Sequence, residues 1–205
     1  EIQKDPNCPV PVTLTFTLRD GIRFSDGSPI TAEDFIWTFK WTMDERVAAA
    51  RDRSSFEKVR SVEKGGSNQV VFKFKEPFYD VMAVAASLYA LPKHFYEKYT
   101  PEQFNTSVGL LMGSGPYRLE DPTSWKPGGG KVVLVRNEKY WGLAPALNQV
   151  IFKEISNDVA RQTAFKNGEI DVIETRPEQY DNMKRDADVV ARSQHYDWLS
   201  LNGGY

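Results

Sequence analysis

Residues 12–41 read VTLTFTLRDGIRFSDGSPITAEDFIWTFKW, and the change of period within that stretch decides the class of fold. Val12, Leu14, Phe16 and Leu18 alternate with Thr13, Thr15, Thr17 and Arg19. A period of two puts the apolar set on one face, so the stretch begins as a half-buried β-strand. Asp20-Gly21 turns it, Ile22-Arg23-Phe24 reads as a short strand, and Ser25-Asp26-Gly27-Ser28 turns again. Thr31 then precedes Ala32-Glu33-Asp34, a capping-box arrangement with its acidic residue three places on. From there a helix runs to about Asp44, with Ala32, Phe35, Ile36, Phe39 and Met43 on one arc. Trp37 and Trp41 lie on the other side. Either the helix is sandwiched between two layers, or those tryptophans form an aromatic wall for a ligand.

Working outward, the opening Asp5-Pro6-Asn7 and Pro9-Val10-Pro11 read as loop chemistry. A hairpin is written around Gly65-Gly66-Ser67-Asn68, between Phe56–Val62 and Val70–Phe74, and Phe78 to Leu88 reads as a buried helix. Thr100-Pro101-Glu102-Gln103 is a cap followed by proline at the first helical position. Gly113-Ser114-Gly115-Pro116 breaks the chain into two halves, with a domain boundary near residue 112. In the second half Lys131–Arg136 and Gln149–Ile155 read as strands. Ser156 caps a helix over Asn157–Asn167, Gly168 ends it, and Ile170–Ile173 reads as a strand again. Strand, helix, strand predicts a βαβ unit with parallel pairing. Pro177 opens another helix, and Val189–Tyr196 with Trp198–Leu201 reads as extended. The class is mixed α/β.

Composition narrows function. The chain is 40% hydrophobic and 26% charged, the profile of a folded domain with a real core. Its formal net charge of -2 excludes the one-signed field that nucleic acid or an anionic membrane surface requires. No apolar run reaches the roughly 18 residues that span a bilayer. The chain opens on Glu1, as if at a processing boundary, so no targeting signal is legible. Cys8 is the only cysteine, which excludes an internal disulfide framework and leaves the compartment open.

Motifs for covalent or metal chemistry are missing. With only His94 and His195, no HExxH and no CxxC, a dedicated zinc site is not expected. Gly113-Ser114-Gly115 is followed by Pro116 and reads as a turn, not a nucleophile elbow. Gly128-Gly129-Gly130 leads into a strand, so it reads as a hairpin connection rather than a phosphate cradle. His94 reads as a locally bonded histidine at the start of a short helix. No catalytic residue, metal or cofactor is nominated.

The run from Phe16 to Phe35 resembles the signature of family 5 solute-binding proteins, the oligopeptide, dipeptide and nickel binders of ABC importers. Further resemblances follow in the family's order. They are Val70–Phe74 with Lys75-Glu76-Pro77, Leu91-Pro92-Lys93-His94, Gly113-Ser114-Gly115-Pro116-Tyr117, Arg136-Asn137-Glu138-Lys139-Tyr140-Trp141-Gly142, Gly168-Glu169-Ile170-Asp171-Val172 and Leu201-Asn202. Glu138 departs from the family's usual proline, and the Cys- and Pro-containing opening matches no family element. Structural jobs are expected for Gly21, Gly27, Gly115 and Gly168 in turns and helix ends, and for Asp26 and Asp34 as turn and cap carboxylates.

The resemblance implies a bilobed periplasmic-binding-protein-like fold (type II, cluster C-like), with mixed sheets and flanking helices, in a protein two to three times this length. Residues 1–112 are then similar to an accessory domain inserted in lobe one. Residues 113–205 are similar to part of lobe one, ending at the hinge crossover, with lobe two absent. It implies an extracytoplasmic protein, periplasmic or extracellular and with or without a lipid anchor. That protein, a monomer, captures a peptide or other small solute and delivers it to a membrane permease, with no nucleic acid as partner. Because ligands of open α/β sheets sit beyond the carboxyl ends of strands, Glu174, Thr175 and Arg176 become candidate contacts, with Trp198 and Asn202 near the crossover. A secreted α/β hydrolase and a partner-binding scaffold remain as alternatives.

Overall fold

The computed structural model describes residues 2–5, 8–123, 125–126, 128–187 and 189, and side chains from residue 12 onward except at 177. The chain divides into two compact units, Glu1–Phe152 and Lys153–Tyr205.

The alternation of residues 12–19 becomes the centre of a four-stranded sheet in the first unit. Strands β1 (Ile2–Asp5), β2 (Cys8–Thr17), β3 (Val59–Lys64) and β4 (Gln69–Phe74) lie in the order β1-β2-β4-β3, each pair antiparallel. The register sets Leu14 and Val62 on either side of Phe72, and Phe16 opposite Val70. One face thus becomes continuous hydrocarbon, while Thr13, Thr15 and Thr17 take the other. Phe16 and Phe72 meet edge to face with centroids 5.6 Å apart.

Helix α1 (Ala32–Met43) lies on that apolar face. Phe35, Ile36, Phe39 and Met43 pack against the cluster of Leu14, Val62, Val70, Phe72 and Phe74. Trp37 and Trp41 stack on each other at 5.0 Å on the far side, and Trp41 meets Phe104 edge-on at 5.6 Å. Phe104 belongs to a later short helix, so α1 is sandwiched between sheet and helices; the tryptophans are packing.

The capping carboxylate does more than close α1. Asp34 is buried, and its Oδ2 accepts from the Thr31 N–H at 2.9 Å and the Thr31 hydroxyl at 3.0 Å. Its Oδ1 accepts from the N–H of Lys93 at 3.1 Å, fifty-nine residues on. Thr38, one turn along, takes the N–H of Leu91 at 2.9 Å. The helix N-terminus therefore holds the segment 91–93 as well.

Short elements complete the first unit. They are α2 (Ala50–Ser55), α3 (Val81–Ala86), α4 (Lys93–Tyr96), α5 (Pro101–Thr106) and a second sheet of β5 (Tyr117–Leu119), β6 (Lys131–Arg136) and β7 (Gln149–Lys153), in that order. Thr100 and Gln103 exchange the two bonds of a capping box at the head of α5. Residues 113–116 lie between the two sheets; the compact units divide later, after Phe152. The second unit carries α6 (Asp158–Lys166), capped by Asn157 and closed by Gly168 at φ 75°, and α7 (Pro177–Met183).

Four local readings are corrected. Pro9-Val10-Pro11 is strand, because β4 pairs with β2 only from Thr13 onward. Prolines two apart lack their N–H groups on one edge, which is tolerated where no strand lies on that edge. Ile22–Phe24 is not a strand but the entry to a tight loop closed by one bridge, Arg23 to Pro29. Helix is confined to Val81–Ala86 within Phe78–Leu88, and its outer side is exposed. Ile170–Ile173 is not a strand: a strand needs a neighbour for its ladder, none pairs with it among the described residues, and Val172 is 83% exposed. Without it the βαβ unit is incomplete. Val189–Tyr196 and Trp198–Leu201 lie, Val189 apart, outside the described residues.

Replacing Asp34 by alanine leaves two part-buried backbone donors, of Thr31 and Lys93, without their acceptor. The cost is about 2 kcal/mol, because two part-buried donors each lie at the low end of the about 1–3 kcal/mol that an unsatisfied buried donor costs. Glu33→Ala, which loses only an exposed 3.8 Å pair with Lys64, should stay within about 0.5 kcal/mol. Denaturant unfolding of both variants checks the contrast, and equal midpoints would refute the buried role.

Candidate functional site

The turn Ser25–Ser28 gathers the polar chemistry of the first unit. Glycine at 27 is required by its φ of 95°, and its lack of a Cβ also leaves room for the end of the Lys139 side chain, whose Nζ would lie 2.8 Å from one. Asp26 Oδ1 accepts from the N–H of Ser28 at 2.9 Å and from its hydroxyl at 2.7 Å, an Asx turn. Asp26 Oδ2 lies 2.6 Å from Nε2 of His94, at the head of α4. Lys139 donates to the Asp26 carbonyl at 2.5 Å, and the Ser25 N–H donates to the Gly113 carbonyl at 2.9 Å. Partial burial pushes the Asp26 carboxyl up. The bonds from Ser28 and His94 outweigh that, and the group lies below its ordinary value.

Serine, histidine and aspartate together invite a test for a catalytic relay. In a relay the base uses opposite ring nitrogens, one toward the nucleophile and one toward the carboxylate. Here Nε2 of His94 faces both Asp26 and, at 3.4 Å, Ser28, while Ser28 gives its proton to Asp26. The group is a turn lock, not an activated nucleophile. Among the described residues no three of His, Cys, Asp and Glu form a metal cage, and no helix is long and apolar enough to cross a membrane.

The sequence candidates in the second unit follow α6. Glu174 is exposed, Thr175 half-buried and Arg176 exposed, three neighbours in an irregular segment that ends at α7. Arg176 Nη2 reaches Asp158 Oδ2 at 3.0 Å, and Asp158 also pairs with Arg161. Trp198 and Asn202 lie outside the described residues. The sequence reading missed the exposed apolar side chains in and around α3, with Tyr79 before it 95%, Met82 within it 44% and Tyr89 after it 81% exposed. From Val81 to Leu91 no residue is charged, which was the signal for a helix without a polar face.

A family model described as bacterial extracellular solute-binding proteins, family 5, middle region, matches residues 11–204. The chain belongs to this family. It is 35% identical over 161 residues to Protein XP55 of Streptomyces lividans, covering 78% of this chain and 28% of that protein. It is 30% identical over 166 residues to the nickel-binding periplasmic protein of Escherichia coli, covering 78% and 30%. Its fold superposes on the oligopeptide-binding protein AppA of Bacillus subtilis, solved with a nonapeptide, with a TM-score of 0.65 and 26% identity, over 78% of this chain and 31% of that one. The chain thus spans about three tenths of the length of the proteins it matches. The fold class is that of the family 5 binding proteins.

Within a family 5 chain, the signature residues Asp26, Gly27 and Ser28 are explained by the turn they build and the parts it joins. Because the Asp26 carboxyl is held below its unfolded value of 3.8, its contribution is fully present above that pH and is lost as pH falls through the depressed value. The stability gap between the native chain and Asp26→Asn should therefore be widest above about pH 5 and shrink below about pH 4. Unfolding free energies measured from pH 7 to pH 2 check this, and a gap that stays constant would contradict it.

Proposed function

We propose that the protein containing this chain is the extracytoplasmic solute-binding component of an ABC importer. It captures a peptide or similar small solute between two lobes and delivers it to the membrane permease. The observation that carries this reading is the family match, which runs from residue 11 to residue 204. The likeness to a relative crystallised with a nonapeptide favours peptides as the solute class.

In this reading function is affinity. The lobes close about a hinge, water is excluded from the solute, and the closed state is the one the permease receives. Residues 1–112 act as an accessory domain of lobe one, and residues 113–205 as the part of lobe one that runs to the hinge. The protein works as a monomer in the periplasm or outside the cell, with or without a lipid anchor, and turns nothing over. Glu174, Thr175 and Arg176, with Trp198 and Asn202, contact the solute. The exposure of Glu174 and Arg176 supports that placement, since a solute contact must be reachable before closure.

Incubating the whole protein with a peptide library and analysing the retained fraction by mass spectrometry tests the reading. Intact peptides should be recovered, and recovery of none or of cleavage products would contradict it. Calorimetry places the site: Arg176→Ala and Trp198→Ala should each weaken binding about tenfold, the equivalent of about 1.4 kcal/mol. Gly21→Ala, at φ 75°, should lower stability by about 1–2 kcal/mol and leave affinity unchanged. Unaltered binding in both site variants would refute the placement.

A further inference from the structure

The carboxylate of Asp158, at the first position of α6, is shared by two guanidinium groups. Its Oδ1 takes Nη2 of Arg161, three residues along the same helix, and its Oδ2 takes Nη2 of Arg176 at 3.0 Å. One negative charge thus faces two positive ones, and the trio keeps a net positive charge. The three members differ in access: the side chains of Arg161 and Asp158 are 37% and 31% exposed, that of Arg176 74%. The main chain of Arg176 is held too, since its N–H donates to Gln179 Oε1 at 3.0 Å at the head of α7.

An exposed arginine ordinarily spreads over many rotamers, and a ligand must order it. Arg176 is tied at both ends, at its guanidinium by Asp158 and at its N–H by Gln179, with most of its side chain still in solvent. A guanidinium fork matches a carboxylate edge to edge, and the single bond to Asp158 leaves a second edge of that fork for another carboxylate. Exposed Glu174 and Glu178 oppose an approaching anion, but their repulsion passes through solvent and is screened within about 10 Å. A direct fork contact is not screened in that way. We propose that Asp158 is a positioning residue that holds Arg176 ready for the carboxylate of a solute, with Arg161 fixing Asp158 in turn. This rests on Arg176 being a solute contact.

The test uses the whole protein and an equimolar tripeptide library, offered once as free acids and once as C-terminal amides, with retention measured by equilibrium dialysis. The native protein should favour the acids by about tenfold, and Asp158→Asn and Arg176→Ala should each remove that preference. Asp158→Glu should restore it. Should Asp158→Asn fail to fold, Arg161→Lys carries the same test, because it keeps a charge but loses the fork. Loss of preference in Arg176→Ala with Asp158→Asn unaffected overturns the positioning role alone. No effect of Arg176→Ala overturns the solute contact on which it rests. Equal retention of acids and amides by the native protein overturns the carboxylate class, and retention of neither overturns the peptide reading itself.

Discussion

The turn at Asp26 is the joint on which the first unit depends. Three segments far from it in sequence end on it or beside it. Its own Asx geometry is set by Ser28, α4 reaches it through His94, the break at Gly113 takes the Ser25 N–H, and Lys139 closes over Gly27 onto the Asp26 carbonyl. Asn137, buried, binds the carbonyls of Gly115 and Pro116 through its side chain and its N–H, both at 2.8 Å, so the loop after β6 is tied to the loop before β5. A hydrophobic sheet-and-helix cluster does not specify how a second sheet attaches to it. These directional bonds do.

This explains why the recognisable motifs are recognisable. The runs around Phe24-Ser25-Asp26-Gly27, Leu91-Pro92-Lys93-His94, Gly113–Tyr117 and Arg136–Trp141 meet in one polar joint, to which Asp26, His94, Asn137 and Lys139 bring side-chain bonds and Gly27 a positive φ. Asp34 belongs to the same logic, capping α1 with one oxygen and holding the start of α4 with the other. Glu138, the departure from the family pattern, is exposed and pairs with Arg136 at 3.0 Å. Motifs of this kind identify a family through its scaffold and say little about its solute.

Legibility in the sequence followed the range of the forces. The threonine–apolar alternation of β2, the caps at Thr31 and Thr100 and the stop at Gly168 are local, and they read correctly; the cap of α6 falls on Asn157, which takes the Ala160 N–H, one residue beyond the expected Ser156. Strand at Pro9–Pro11 could not be read, because it depends on where β4 stops. Ile170–Ile173 has the composition of a strand but no partner among the described residues, and composition cannot supply one. The pairing of His94 with Asp26 spans sixty-eight residues and leaves no periodic trace. The hold of Asp158 on Arg176 likewise joins residues far apart in the chain and leaves no periodic trace.

If the turn is the joint, removing its carboxylate should loosen all the segments it gathers and not only itself. Hydrogen exchange on Asp26→Ala measures this directly, by comparing amide protection with the native chain. The account predicts a concerted loss at 25–28, 93–97, 113–117 and 137–140, with β2 and β4 unchanged. Loss confined to 25–28 would show that the other segments are held independently and would contradict it.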